Sequence, residues 1–170
     1  MIVSDSHGSK AELQKLVEKH GDEVDLMIHC GDSELSIDDP IIEKFQTVRG
    51  NCDVDRRFPE ELVTSVEGYR VYATHGHLYS VKTSLMSLKY RGVEKQANIV
   101  CFGHSHVLGM ELIDGMLFVN PGSIRLPRRR VERTYVILEI HSGKVTAKVY
   151  DDDQGELSEL ESSFLLSKSL

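Results

Sequence analysis

The chain has 170 residues, 40% of them hydrophobic and 28% charged, the composition of a single globular domain. A chain of this size needs neither a disulfide nor a structural metal in order to fold, so any metal is there for chemistry. The formal net charge of −7 argues against a general nucleic-acid binder, which holds phosphates with excess Lys and Arg. No apolar run approaches the roughly 20 residues of a bilayer span, and no charged leader region or cleavage site follows Met1, so no secretory or membrane role is expected. Cys30, Cys52 and Cys101 are odd in number and lack metal-site spacing, which reads as reduced thiols of a cytoplasmic protein.

In chain order, Met1 to Ser4 reads as a very short buried strand. Ser9-Lys10-Ala11-Glu12 is a capping-box signature that opens a helix running to Gly21, with Leu13, Leu16 and Val17 on one face. Further apolar runs at 26–30, 45–48, 69–74 and 99–102 read as strands, with helical stretches near 40–45 and 83–97. Each run is followed within a few residues by Asp, Asn or His, frequently beside Gly. That is the texture of strand ends opening into a site on a parallel or mixed sheet. After residue 107 two hairpin signals follow, one around Asp114-Gly115 and one around residues 141–144, so the second half reads as antiparallel and as a second sheet stacked on the first. The segment 151–170 is acidic and Ser-rich. Its Leu157, Leu160, Phe164 and Leu165 fit one helical stripe, and a frayed tail or a docked helix are both open.

The chemistry sits at the strand ends. Asp5-Ser6-His7 presents a carboxylate and an imidazole from alternate residues of an extended segment, and His104-Ser105-His106 repeats the arrangement with two imidazoles. Between them come Asp32 after Gly31, Asn51 in Gly50-Asn51-Cys52-Asp53, and His75 in His75-Gly76-His77. Taken singly, Asp5 and Asp32 read equally as turn residues, Asn51 reads more readily as a turn residue, and each histidine reads more readily as a hydrogen-bonded structural one. Together, Asp5, His7, Asp32, Asn51, His75, His104 and His106 form an oxygen and nitrogen donor set suited to two hard or borderline cations about 3.5 to 4 Å apart. Two divalent ions against two carboxylates leave a local positive charge that suits a phosphate ester.

This ordered series resembles the calcineurin-like metallophosphoesterases, and within them the small bacterial and archaeal phosphodiesterases of the YfcE type, over residues 1 to about 150. Asn120-Pro121-Gly122-Ser123 with Pro127-Arg128 resembles the small subfamily too. The resemblance implies a four-layer α/β/β/α sandwich of two mixed sheets flanked by helices, as a domain over 1–150 followed by the tail 151–170. It implies Asp5, His7 and His106 on one ion, Asn51, His75 and His104 on the other, and Asp32 between them. Manganese is the expected metal, with nickel, iron, cobalt and zinc also compatible. The implied reaction is phosphodiester hydrolysis by a hydroxide held between the metals, acting on a small phosphate-ester substrate, and the oligomeric state is open, a homodimer included.

Two features depart from the family pattern. Where many members carry a His that protonates the leaving oxygen, this chain has Cys52; His77 is the alternative acid, with Asp53 to orient it. Only three residues precede Ser4, which leaves an upstream start open. Rival readings are a phosphomonoesterase and a non-catalytic scaffold on the same fold, like the retromer subunit that resembles these enzymes.

Overall fold

The computed structural model describes residues 1–167; the last three positions of the segment 151–170 lie outside the described residues. The elements are β1 (Ile2–Val3), α1 (Lys10–His20), β2 (Ile28–His29), β3 (Gln46–Thr47), β4 (Glu61–Val66), β5 (Tyr69–Thr74), α2 (Met86–Glu94), β6 (Ile99–Cys101), β7 (Leu108–Ile113), β8 (Met116–Pro121), β9 (Thr134–His141), β10 (Lys144–Asp151), β11 (Gly155–Glu156) and β12 (Ser162–Leu165).

They form two mixed sheets. In the first, the order is β11-β10-β9-β1-β2-β3, with β12 also paired to β10. β1, β2 and β3 run parallel, and β9 is antiparallel to β1. In the second, the order is β4-β5-β6-β8-β7, with β5, β6 and β8 parallel.

Period-two alternation sorts the side chains into layers. Ile2, Ile28 and Val136 of the first sheet meet Val71, Ile99, Leu117 and Val119 of the second in a core between the sheets. Their neighbours point outward: Val3, Tyr135 and Ile137 pack under Leu13 and Leu16 of α1, while Tyr72, Val100 and Phe118 pack under Leu88 of α2. The result is the expected α/β architecture of two mixed sheets with helices outside.

Several local expectations change. Residues 40–45 form only a 3-10 turn, Ile42–Lys44. Ser9 stands at the α1 N-cap, yet its side chain makes no cap hydrogen bond. Its box partner Glu12 is buried and faces Arg125 at 3.2 Å and Arg133 at 3.1 Å, so a tertiary ion pair displaces the local reciprocal cap. The second half does not make a separate antiparallel sheet. The β7–β8 hairpin completes the second sheet through parallel pairing of β8 with β6, and β9–β10 completes the first. The strand β4, joined to β5 by Glu67-Gly68, is absent from the sequence reading.

The described part of the tail is neither a helix nor frayed. β12 pairs with β10 from Lys144↔Leu165 to Ala147↔Ser162, so side chains alternate instead of following a helical stripe. Phe164 and Leu166 pack with Leu157 on the core between the sheets, and Leu165 points to solvent.

Candidate metal centre

Every candidate donor follows the carboxyl end of a parallel strand. Asp5 and His7 come after β1, Asp32 after β2, Asn51 after β3, His75 after β5, and His104 and His106 after β6. Because the two sheets stack, these ends form one rim, in the crevice where open α/β sheets place ligands. Backbone bonds tie the loops together: Asp5 N–H donates to Gly31 O at 3.0 Å, His7 N–H to Asp32 O at 2.9 Å, and Gly103 N–H to His75 O at 3.0 Å.

The backbone is bent hard here. Asp5, His7, Asp32, His104 and His106 have φ of 56°, 42°, 55°, 67° and 58°, a left-handed region that non-glycine residues enter at some energetic cost. Close approach also requires glycine at two positions. A Cβ on Gly50 would lie 2.0 Å from Asp32 Oδ1, and one on Gly103 would lie 2.0 Å from Ser4 Oγ and 2.6 Å from Asp5 Oδ2.

Asp5 is the centre of the arrangement and is fully buried. Its Oδ2 accepts from Ser4 Oγ at 2.6 Å and from His104 N–H at 3.2 Å. Its Oδ1 is buried without a hydrogen bond, although Nε2 of His106, His7 and His75 lie 3.1, 3.8 and 3.9 Å away. On the other side, Asp32 Oδ2 lies 3.2 Å from His75 Nε2, and Asn51 Oδ1 lies 3.1 Å from the same nitrogen. Ligand atoms gather within 4.8 Å in three groups: Asp5, His7 and His106; Asp5, Asp32 and His75; and His7, Asp32 and Cys52. His104 is in none of these groups; its ring lies edge-on to His75 with centroids 5.1 Å apart.

The imidazoles are held by their far nitrogens. Nδ1 of His75 lies 2.8 Å from Cys30 O, Nδ1 of His106 lies 2.7 Å from Leu126 O, and Nδ1 of His7 lies 2.5 Å from Glu34 Oε1. Carbonyl and carboxylate oxygens only accept, so each Nδ1 must donate, and in the neutral ring Nε2 is left with a bare lone pair. Yet Nε2 of His7 and of His106 face each other at 3.2 Å. Two lone pairs opposed at that distance, beside an unpartnered buried carboxylate oxygen, make a polar deficit that a cation relieves. The donor set therefore fits divalent metal.

Electrostatics follow the same geometry. Burial opposes ionisation of Asp5, but His106, His75 and Ser4 outweigh it and hold the carboxyl below its usual range. Asp32 is held low in the same way, against burial, by His75 and the Cys52 N–H. Burial works against charge on His75 too, and Asp32 and Asp5 raise it. The Asp5 carboxylate raises His106, whereas burial, with the neighbouring His75 and Lys82, pushes His104 down to about 4.

The three candidate catalytic groups differ in their surroundings. Asp53 accepts from the N–H groups of Asp32, Glu34 and Gly50 at 2.8, 2.7 and 2.6 Å and from Ser33 Oγ at 3.3 Å. It pins the Asp32 loop, and none of these bonds reaches His77. Cys52 is exposed, and its N–H donates to Asp32 Oδ1 at 2.8 Å; burial and the charge of Asp32 push its thiol up to about 11. His77 has its ring 5.3 Å from that of His75 and a buried Nδ1 without a partner, and burial and His75 lower its pKa.

Sequence reasoning missed His29 and Glu34. Glu34 holds His7. His29, fully buried, accepts the Gly31 N–H on Nδ1 at 3.1 Å and so presents Nε2–H to Ser6 Oγ at 2.8 Å, bracing two site loops from below. The signal was an imidazole inside an apolar run, which demands buried partners. Asn120 and Ser123 also brace the rim: Asn120 Nδ2 donates to Gly103 O at 3.0 Å, and Ser123 Oγ donates to Asp5 O at 2.8 Å.

Comparison with known proteins agrees with this geometry. A probable metallophosphoesterase, YsnB of Bacillus subtilis, is 44% identical over 166 residues, covering 98% of each chain. The phosphodiesterase YfcE of Escherichia coli is 29% identical over 107 residues, covering 58% of this chain and 54% of its own. A crystal structure of a conserved protein from Streptococcus pneumoniae, described as a predicted phosphoesterase, superposes with a TM-score of 0.92 at 34% identity over 96% of this chain and 95% of that one. Residues 1–143 match the calcineurin-like phosphoesterase superfamily domain, and the chain that builds this rim of carboxylates and imidazoles belongs to that metal-dependent family.

Proposed function

We propose that the protein hydrolyses phosphodiesters with two divalent cations held at the rim, displacing the alcohol in line by water. The observation that carries this reading is the convergence of three imidazole Nε2 atoms on the buried, unpartnered Asp5 Oδ1. Asp5, His7 and His106 would hold one ion, and His75, Asn51 and His104 the other. Asp32, grouped with His75 on one side and His7 on the other, would be held between them. Bound divalent cations supply an activated water near neutral pH and neutralise the phosphoryl oxygens. The protein's part is to fix the ligands: Glu34, Leu126 O and Cys30 O orient the imidazoles, and Asp53 and Cys52 N–H hold Asp32.

Manganese heads the compatible metals, since nitrogen and oxygen donors without thiolate also admit nickel, iron, cobalt and zinc. The name of YfcE supports diesters over monoesters. Three free cysteines support a cytoplasmic setting. The scaffold reading draws on Cys52, which stands where a proton donor is expected; the complete donor set counts against it.

The test is hydrolysis of bis(4-nitrophenyl) phosphate and of 4-nitrophenyl phosphate across a panel of divalent metals. Turnover that favours the diester and stops with chelator is the expected result. Absence of turnover with every metal would leave the scaffold.

A further inference from the structure

Beside the rim lies a cavity of about 570 Å³, within the range of small-molecule sites. Its walls include the half-buried apolar residues Leu85, Val107 and Met110 and three cations, Lys82, Arg128 and Arg129, against one carboxylate, Glu111. The cavity adjoins the candidate metal centre: Ser105, between His104 and His106, lines it, and Arg128 N–H donates to His106 O at 3.0 Å.

Three cations against one carboxylate is a local excess of positive charge in a chain of formal net charge −7. With 27 acidic against 20 basic residues, Arg49, Arg57, Arg91 and Arg133 are all engaged in ion pairs. Lys82, Arg128 and Arg129 are exposed and have no ion pair among the described residues. Cations without ion pairs gathered with half-buried apolar side chains beside a phosphoester site match a ligand that has its own anionic group and an apolar body.

We infer that this cavity is a substrate subsite for the diester substituent that carries a second phosphate on an apolar ring system, the chemistry of a phosphorylated nucleoside. This rests on the phosphodiesterase reading and narrows it.

The experiment compares thymidine 5′-(4-nitrophenyl phosphate) with the same compound phosphorylated at the 3′ oxygen. The scissile phosphate and leaving group are identical, so the ratio of kcat/KM values isolates the second phosphate. The expected ratio favours the phosphorylated compound by about tenfold or more, the worth of charge-assisted hydrogen bonds. It should fall toward unity in Lys82→Ala and Arg128→Ala, while Lys144→Ala, an exposed lysine of the β9–β10 hairpin, keeps the wild-type ratio. Turnover of both compounds with a ratio of unity in the wild type overturns the subsite and leaves the phosphodiesterase reading intact. Turnover of neither, while bis(4-nitrophenyl) phosphate is hydrolysed, overturns the subsite; turnover of none of the three sinks the phosphodiesterase reading, and equilibrium dialysis of thymidine 3′,5′-bisphosphate against the metal-free protein then decides the subsite. Weaker binding by a Lys82→Ala variant with an unchanged circular dichroism melt supports it, and equal binding overturns it.

Discussion

In the β9–β10 hairpin, eight residue pairs lie in register from Lys144↔His141 to Asp151↔Thr134, and left-handed backbone is confined to Ser142 and Gly143 of the turn. At the rim, β1, β2 and β3 contribute two residues each, and five of the seven candidate ligands are left-handed. The positive φ of the hairpin is what a tight two-residue turn demands, so local sequence satisfies it. At the rim each bend aims a side chain, at about 1 to 3 kcal/mol per strained residue, and tertiary bonds such as Ser123 to Asp5 O hold it. The difference separates a region built for stability from one whose shape is maintained by the rest of the molecule.

The sharpest way to break this comparison is at Asp32. Asp32→Asn keeps the shape and removes the charge between the two ion positions, so activity should fall by about 10²- to 10³-fold or more with loss of at least one metal. Metal analysis that finds two tightly held ions in the variant would refute the bridging role. His104→Ala and His106→Ala, combined, should lose little more than either alone, because ligands of a joint site act as a unit.

In the scaffold the order of effects reverses. Leu117 is fully buried between the sheets, and Leu117→Ala should cost about 2 to 5 kcal/mol of stability, read as a shift of the urea midpoint. Metal content of the folded protein should stay at the wild-type value; a parallel loss of metal would show that core and rim are not separable.

A smaller effect comes from the brace beneath the rim. Burial pushes His29 down to about 4, whereas an unfolded histidine titrates near 6.5. The folded state binds fewer protons between these values, so the stability tied to neutral His29 is complete above pH 6.5 and is lost as pH falls toward 4. Between about pH 7 and about pH 5 the metal-free wild type should lose about 2 kcal/mol more than His29→Gln. Equal losses in urea titrations would mean that His29 is not held neutral.

The smallest effect is expected at Cys52. A thiol pushed up to about 11 is a feeble proton donor, so Cys52→Ala should change aryl diester hydrolysis far less than the about 10²-fold typical of a lost general acid. Alkyl diesters should be poor substrates of both proteins. If alkyl esters are cleaved as fast as aryl esters and His77→Ala slows only the alkyl reaction, His77 supplies the proton.

Local signals in the sequence specified the alternation along β9 and β10, the helix beginning at Lys10, the hairpins around Asp114-Gly115 and residues 141–144, and the candidate donor side chains. Those signals are alternation, turn chemistry, and Asp, Asn or His following an apolar run. The tertiary structure alone decided which strand joins which sheet, because the alternation of Val136 or Val119 marks a buried face without naming its partner. It decided that Glu12 leaves its cap for Arg125 and Arg133, and that the tail pairs with β10 as a strand, since tertiary contacts override weak helical periodicity. It also separated aim from support. Asp5 and Asp53 are both aspartates beside a strand end, but one leaves an oxygen free toward three imidazoles while the other fills its oxygens with N–H and hydroxyl donors. That distinction depends on which groups face each carboxylate across the fold, and residue spacing carries no information about them.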